Sequence, residues 1–491
     1  MISRIKSIYR KYDGVALDGI LLSVIRIITL FVSILQTMYL SRALSLNEYG
    51  VYSELLIVIS IGVTVTSFGL SNSISYFFNI DSESDNKKQY INNIFSLTFI
   101  TGIIGAIICL LFRNNISNFY KDSSIIPLII YIILRPLTNN IISLYDPLYI
   151  SLKKSKVIAF RNLIVSFLKV IFIPITYILT KDIKWILIVQ LLLDIVQIIY
   201  FNFNVRKYIK KINYFSFNID IIKKILKYSI PLYLATICGT LFKEFDKLII
   251  GHLSTTDNLA IYTNMSKQLP FEFIVTSFSA VITPIMVKYL NKDKKKAVNL
   301  WKKFLELSYK ISWILVFGAL VCSKELLLLL YSETYLSGLN IFIVYLITEI
   351  FKFTYFGLIL SSSGNTKYIT ISSVVSLILN IILNIIFYNI YGMIGPAFAT
   401  LITTILMGSF QLFMSIKILN IKLCDVISMK DVLRTFLLLL ISGIIFFMLK
   451  IILYKFINNY LIIILIIYSS YIILNYLFFH KKILSLIKEI K

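Results

Sequence analysis

Lys243, Glu244, Asp246 and Lys247 crowd four charges into five residues of an otherwise apolar stretch. On a helix, Lys243 shares a face with Asp246 and Lys247, and Glu244 can reach Lys247. A charged side chain at the centre of a bilayer costs about 2.5–3.5 kcal/mol on insertion scales, so such residues face a partner or a wet cavity. Arg26, Arg135 and Lys169 lie in similar stretches with no acid within four positions. Lys267 has only Glu272, five residues on and on a different face. A basic group with no local partner pairs with another helix or awaits an anionic ligand. Arg26, Arg135, Lys169, Lys243, Lys247 and Lys267 are therefore the candidate anion-binding cations. Glu54, Asp246, Glu272 and Glu349 are the candidate proton or sodium carriers.

Other charges have local explanations. Lys310 follows Glu306 by four residues and Lys352 follows Glu349 by three, which suits structural ion pairs on a helix face. Arg161, Lys324 and Lys450 stand near the ends of apolar stretches and are expected to snorkel toward water. Cys109, Cys238, Cys322 and Cys424 lie far apart and form neither a disulfide framework nor a metal motif. His252 and His480 have no neighbour at ligand spacing. There is no phosphate loop, nucleophile elbow or cluster of metal ligands, so neither catalysis nor a cofactor nor a metal is expected.

The elements that position these residues are apolar helices. Of 491 residues, 58% are hydrophobic and 15% charged, where soluble domains carry roughly 45–50% and about 25%. Mean hydropathy is +0.85. Apolar runs long enough to span a bilayer fall near 16–40, 51–78, 91–112, 123–148, 157–179 and 184–204. A second set falls near 229–251, 260–287, 304–330, 338–360, 368–388 and 393–416, and a final pair near 435–454 and 459–479. The first run is expected to be an uncleaved span and not a signal peptide, because it is long and carries Asp18, Arg26 and Gln36. Pro136, Pro174, Pro270 and Pro284 are interior and predict kinks, while Pro231 and Pro396 fall in first turns.

Orientation follows from lysine and arginine. Alternate loops, counted from the N-terminus, hold 32 basic residues, against Arg42, Arg113, Lys121, Lys181, Lys184 and Lys455 in the others. The positive-inside rule places both termini in the cytoplasm. The formal charge of +25 is thus mostly topology. The basic loops at 205–228 and 288–303 are read as anchors on anionic membrane lipid, with no nucleic-acid partner.

The chain repeats itself. Ser41–Ser53 and Gly251–Thr263 align at an offset of 210, with Gly50 on Ala260, Val51 on Ile261, Tyr52 on Tyr262 and Ser53 on Thr263. After one inserted residue, Ser155-Lys156 meets Thr366-Lys367 and Val165-Ser166 meets Val375-Ser376. The period covers six spans, an even number, so the two copies are parallel repeats about an axis normal to the membrane. The expected organisation is an N-terminal lobe at 1–211, a C-terminal lobe at 212–422 and an extra helix pair with a cytoplasmic tail at 423–491.

The segment Ser41–Ser53 followed by Phe68-Gly69-Leu70-Ser71 resembles the polysaccharide exporters of the multidrug/oligosaccharidyl-lipid/polysaccharide superfamily. Phe245–Gly251, leading to Ala260-Ile261-Tyr262, resembles their second-lobe pattern. The resemblance covers spans one to twelve. It implies an all-α membrane fold of about 14 transmembrane helices, like that of the multidrug-and-toxin (MATE) extruders and the O-antigen (Wzx-type) flippases. The implied task is turning an undecaprenyl-diphosphate-linked oligosaccharide across the bacterial inner membrane, for surface polysaccharide and alongside polymerase and chain-length machinery. The fixed negative charge of such a substrate suits a cationic cleft. Arg26 and Lys243 are expected near mid-membrane on the equivalent spans one and seven, and the last helix pair is expected to guide the polyprenyl tail. The competing readings are a multidrug antiporter on the same fold and a membrane polymerase. The absence of a large external loop speaks against the polymerase.

Overall fold

A computed structural model describes residues 14–80, 84–209, 212–267, 269, 271–353 and 356–490. These residues are almost wholly helical, with no strand among them. The first half comprises α1 (Gly14–Ala43), α2 (Leu46–Ser67), α3 (Leu70–Ile80), α4 (Ser84–Leu111), α5 (Arg113–Tyr120), α6 (Ile125–Ile132), α7 (Arg135–Ser151), α8 (Ser155–Thr180) and α9 (Ile183–Val205). The second comprises α10 (Ile219–Leu253), α11 (Thr256–Met265), α12 (Phe271–Lys292), α13 (Lys294–Val321), α14 (Ser323–Leu330), α15 (Leu339–Phe351), α16 (Leu358–Ser362), α17 (Thr366–Tyr391) and α18 (Gly395–Leu419). A short α19 (Leu423–Val426) leads to the final pair, α20 (Met429–Leu453) and α21 (Tyr460–Ile490).

Among the described residues, eleven helical stretches are long and apolar enough to cross a membrane. One of them, Thr366–Leu419, contains both α17 and α18. The chain is a multi-pass membrane protein.

Local sequence explains where the helices start and break. Ser45 caps α2 by accepting from the Glu48 amide, while the Glu48 carboxylate accepts from the Ser45 amide, a reciprocal capping box. Phe68 at φ 46° and Gly69 at φ 65° end α2 and restart the chain as α3. A Cβ on Gly69 would also come within 3.0 Å of the Ser229 carbonyl, so the turn and the close approach both call for glycine. Pro136 does more than bend its span. It stands in the first turn of α7, after an interruption at Ile133–Leu134 that separates α7 from α6. Pro174 and Pro284 are interior, as expected, while Pro270 lies outside the described residues. Pro231 corrects the sequence reading. The helix of the seventh expected span, α10, begins at Ile219, ten residues before the apolar run, so Pro231 is interior and not in a first turn. Part of the expected 205–228 loop is therefore helix; polar, lysine-bearing turns continue a helix at no cost once outside hydrocarbon.

The repeat is visible in the helix boundaries. The helix ends at Ala43 and Leu253, and the starts at Leu46 and Thr256, are 210 residues apart. The same shift relates α4 (Ser84–Leu111) to α13 (Lys294–Val321), and α5 (Arg113–Tyr120) to α14 (Ser323–Leu330). After the inserted residue, α8 (Ser155–Thr180) meets α17 (Thr366–Tyr391) at both ends with a shift of 211.

By contacts the chain forms two compact units, one holding the residues up to Glu244 with Gly251–Ala260, the other Phe245–Ile250 with Ile261–Lys491. The first is centred on buried Phe95, Tyr145, Tyr149 and Phe201, the second on Trp301, Phe304, Leu358 and Met286. Lipid tails are as apolar as leucine, so association of such helices rests on close packing and polar contacts and gains little from water exclusion. The polar contacts therefore carry much of the specificity.

Candidate functional site

The first unit contains a charged core built on α7, α8 and α9. Arg135 is the first residue of α7 and is 7% exposed. Its Nε lies 2.9 Å from Asp194 Oδ2, and its Nη1 donates to Gln190 Oε1 at 2.6 Å. Gln190 in turn donates to the Tyr52 hydroxyl at 2.7 Å. Gln190, Asp194 and Gln197 recur at helical spacing on one face of α9. Arg161 on α8 is bonded to the Asp146 carboxylate of α7, donates to Gln197 Oε1 at 3.3 Å, and places its guanidinium 4.8 Å from the centroid of Phe201. The expectation that Arg161 snorkels is thus corrected. It is 7% exposed and points inward, because Asp146 and Gln197 offer it a charge-assisted site.

Two further cations join this core. Arg26 on α1 is exposed, yet close enough to Asp146 for their charges to interact. Lys169 on α8 is half-buried and feels Asp194, Arg135 and Arg161. Among the described residues, no hydrogen bond or ion pair reaches its ammonium. Four cations, Arg26, Arg135, Arg161 and Lys169, thus share two carboxylates, Asp146 and Asp194. The cluster carries two positive charges in excess, in surroundings where each uncompensated cation costs several kcal/mol unless water or an anion meets it.

The second unit holds an acid in place of a base. Asp246 on α10 is 3% exposed and accepts from the hydroxyls of Tyr262, at 3.2 Å, and of Tyr345. These two tyrosines are 3.1 Å apart at their oxygens. Lys267, just beyond α11, donates to Asn264 Oδ1 at 2.8 Å and feels the charge of Lys247. Glu349 is 6% exposed, with Lys352 Nζ at 3.6 Å, as its spacing predicts. The side chain of Glu272 lies outside the described residues. Lys247 also engages a partner, as do Lys243 and Glu244 of the first unit; Glu244 accepts from Ser60 of that unit at 3.1 Å.

The last helices are held by charge as well. Lys310 and Glu306 are 2.9 Å apart, as their spacing predicts, but Asp431 of α20 completes the group. Lys450, expected to snorkel, is instead 6% exposed and lies 3.1 Å from Glu325, which is 1% exposed. Only Lys324 among the expected snorkelers is exposed. Sequence reading missed Asp146, Asp194, Gln190, Tyr262, Tyr345, Glu325 and Asp431. The available signal was that an acid inside an apolar run is as costly as a base, so the two sets must be matched across helices.

Residues 39–339 match the model of a family described as polysaccharide biosynthesis protein. No match was found among curated proteins. In fold, the chain is similar to the lipid II flippase MurJ in an inward closed conformation, with a TM-score of 0.72 and 18% identity over 94% of this chain and 100% of that one. It is also similar to an inward-facing multidrug resistance MATE family transporter, with a TM-score of 0.63 and 12% identity over 81% and 98% of the two chains. A transporter of the same MOP superfamily from Pyrococcus furiosus gives 0.57 and 11% over 83% and 95%. The fold is that of this superfamily: an all-α, MATE-like membrane protein.

Proposed function

The chain belongs to the polysaccharide biosynthesis protein family, and from that premise we propose that it is a flippase for an undecaprenyl-diphosphate-linked oligosaccharide. The observation that carries this reading is the surplus of positive charge around Arg26, Arg135, Arg161 and Lys169, with Lys169 unbonded among the described residues. A diphosphate head group supplies the missing negative charge and several strong acceptors, and arginine can grip it in bidentate fashion. The likeness to a lipid II flippase supports the same substrate class.

In this reading, parallel lobes at 1–211 and 212–422 alternate access across the bacterial inner membrane, with both termini cytoplasmic. Arg26, Lys169 and Lys243 of the first unit, and Lys247 and Lys267 of the second, are the cations offered to the head group, while Arg135, bound to Asp194, holds the scaffold. The polyprenyl tail stays in lipid and follows an apolar pocket between α20 and α21, lined by Leu438, Ile441, Ile445, Leu474 and Phe478. Glu54, Asp246, Glu272 and Glu349 are the candidates for ion coupling. The product feeds polysaccharide polymerisation and chain-length control. A multidrug antiporter is the second reading, favoured by the MATE likeness; surplus cation suits an anionic load better than a cationic drug.

The test measures protein level and surface polysaccharide together. Arg26→Ala and Lys243→Ala are each expected to abolish or severely reduce export at unchanged protein level, and Arg26→Lys to be partly active. Normal export by both alanine variants overturns the assignment of these cations.

A further inference from the structure

Glu54 is fully buried on α2, yet its carboxylate is poorly bonded. Among the described residues, Oε1 accepts only a long 3.4 Å contact from the Thr256 hydroxyl, and Oε2 is sealed with no partner. Beside it stands Tyr120, the last residue of α5, 5% exposed, whose hydroxyl is also sealed without a partner. Among the described residues, the charges that reach this pair are negative. Asp122 acts on Glu54, and Glu244 acts with Glu54 on Tyr120.

The cations on neighbouring elements are engaged elsewhere. Arg42 of α1 donates to the Met38 carbonyl, Arg135 of α7 is paired with Asp194, and Lys243 of α10 has its own partner. Lys121 and Asp257 are exposed, the His252 ring is bonded to the Phe119 carbonyl, and Tyr131 of α6 is partly exposed. Among the described residues, no cation lies within bonding distance of Glu54.

The internal repeat supplies a comparison inside the same chain. The offset of 210 carries Glu54 to Asn264 and Tyr120 to Leu330, one residue before Tyr331. In the second copy the Tyr331 hydroxyl donates to the main-chain carbonyl of Asn264 at 3.0 Å. A neutral amide in the second copy thus stands where the first copy buries an acid. Burial of an unpaired carboxylate is so costly that such a group takes up a proton instead.

We propose that Glu54 is a proton-binding site of the transport cycle, protonated while the first turn of α11 covers it and ionised when that turn lifts. The cover is tight, since a Cβ on Gly50 would fall 2.2 Å from the Thr256 carbonyl oxygen. When the turn lifts, water enters, the carboxyl O–H bond breaks, and the proton passes to that water, leaving the carboxylate solvated. By the orientation derived from the basic loops, that water is on the outer face. The protonation of Glu54 thereby links external pH to the opening of this end of the first unit. The proposal rests on the transporter reading but not on the identity of the substrate.

The experiment uses the full-length protein in lipid nanodiscs. Infrared difference spectra between acidic and alkaline buffer should show the C=O stretch of a protonated carboxyl group. That band should be lost in Glu54→Gln and in Glu54→Asn, the residue of the second copy, and kept in Glu244→Gln. Amide hydrogen exchange in residues 251–260, corrected for base catalysis, should rise with pH in the native protein and stay flat in both Glu54 variants. A band that survives both substitutions, or exchange that keeps its pH dependence in them, overturns the proposal. The asparagine variant guards against a folding failure of the glutamine one. Neither arm contains lipid-linked oligosaccharide, so a negative result leaves the flippase reading standing, and failed predictions on export leave Glu54 untouched.

Discussion

The ammonium of Lys310 lies 2.5 Å from a carboxylate oxygen of Asp431, joining the middle of α13 to the first turn of α20. Tyr309 donates to the same oxygen at 2.5 Å, and Glu306, itself bridged by Lys482 of α21 at 3.2 Å, flanks the group. At the far end of α20, Lys450 pairs with Glu325 and donates to the Val321 carbonyl at 2.6 Å. Tyr454 donates to Glu325 at 2.7 Å. The final pair of helices, outside the repeat, is therefore fastened to the second unit at both ends of α20.

Breaking one fastening should unfold more than it loosens. Lys450→Ala leaves Glu325 as a buried unpaired charge, a loss of about 3–5 kcal/mol. Lower folded yield and a lower thermal midpoint are expected for Lys450→Ala, with recovery in Lys450→Met/Glu325→Gln. An unchanged midpoint in the single variant would show that the pair is solvated and carries little.

Arg135 should prove structural and not ligand-binding. Arg135→Ala leaves Asp194, 2% exposed, without its cation, so protein level should fall by the same mechanism. Arg135→Gln/Asp194→Asn should restore both level and export. If Arg135→Ala is made at normal level but exports nothing, Arg135 belongs with the substrate-binding cations instead.

Lys169 is expected to behave in the opposite way. Because nothing among the described residues neutralises it directly, Lys169→Met removes surplus charge and should leave protein level unchanged or raised. Surface polysaccharide should drop roughly tenfold or more, in proportion to about 1.4 kcal/mol or more of lost head-group binding, and Lys169→Arg should recover most of it. Full export by Lys169→Met refutes the role.

Topology has its own check. Cysteines placed in 205–218 and 288–303 should be shielded from an impermeant thiol reagent in intact cells, and one at Asp257 should react. Reversed labelling would invert the orientation, the direction of export and the face from which Glu54 exchanges its proton.

How much of this was legible in the sequence follows from what each feature depends on. Membrane class depends on hydropathy over a window, which is a sum along the chain. The repeat depends on aligning short segments, and the offset of 210, becoming 211, reappears in helix boundaries such as Ser84–Leu111 and Lys294–Val321. Pairs at helical spacing, Glu306 with Lys310 and Glu349 with Lys352, needed only the geometry of one helix. Tertiary structure decided which of the remaining cations were already neutralised. Arg135 meets Asp194, Arg161 meets Asp146 and Lys450 meets Glu325 across different helices. Those pairings depend on how each helix is rotated and slid against its neighbours. In a soluble helix the apolar stripe reveals that rotation; here both the lipid-facing and the protein-facing sides are apolar, and the stripe is erased. The sequence by itself therefore named the charges that needed an explanation, and only packing could divide them into those that hold the fold and those still free to meet an anion.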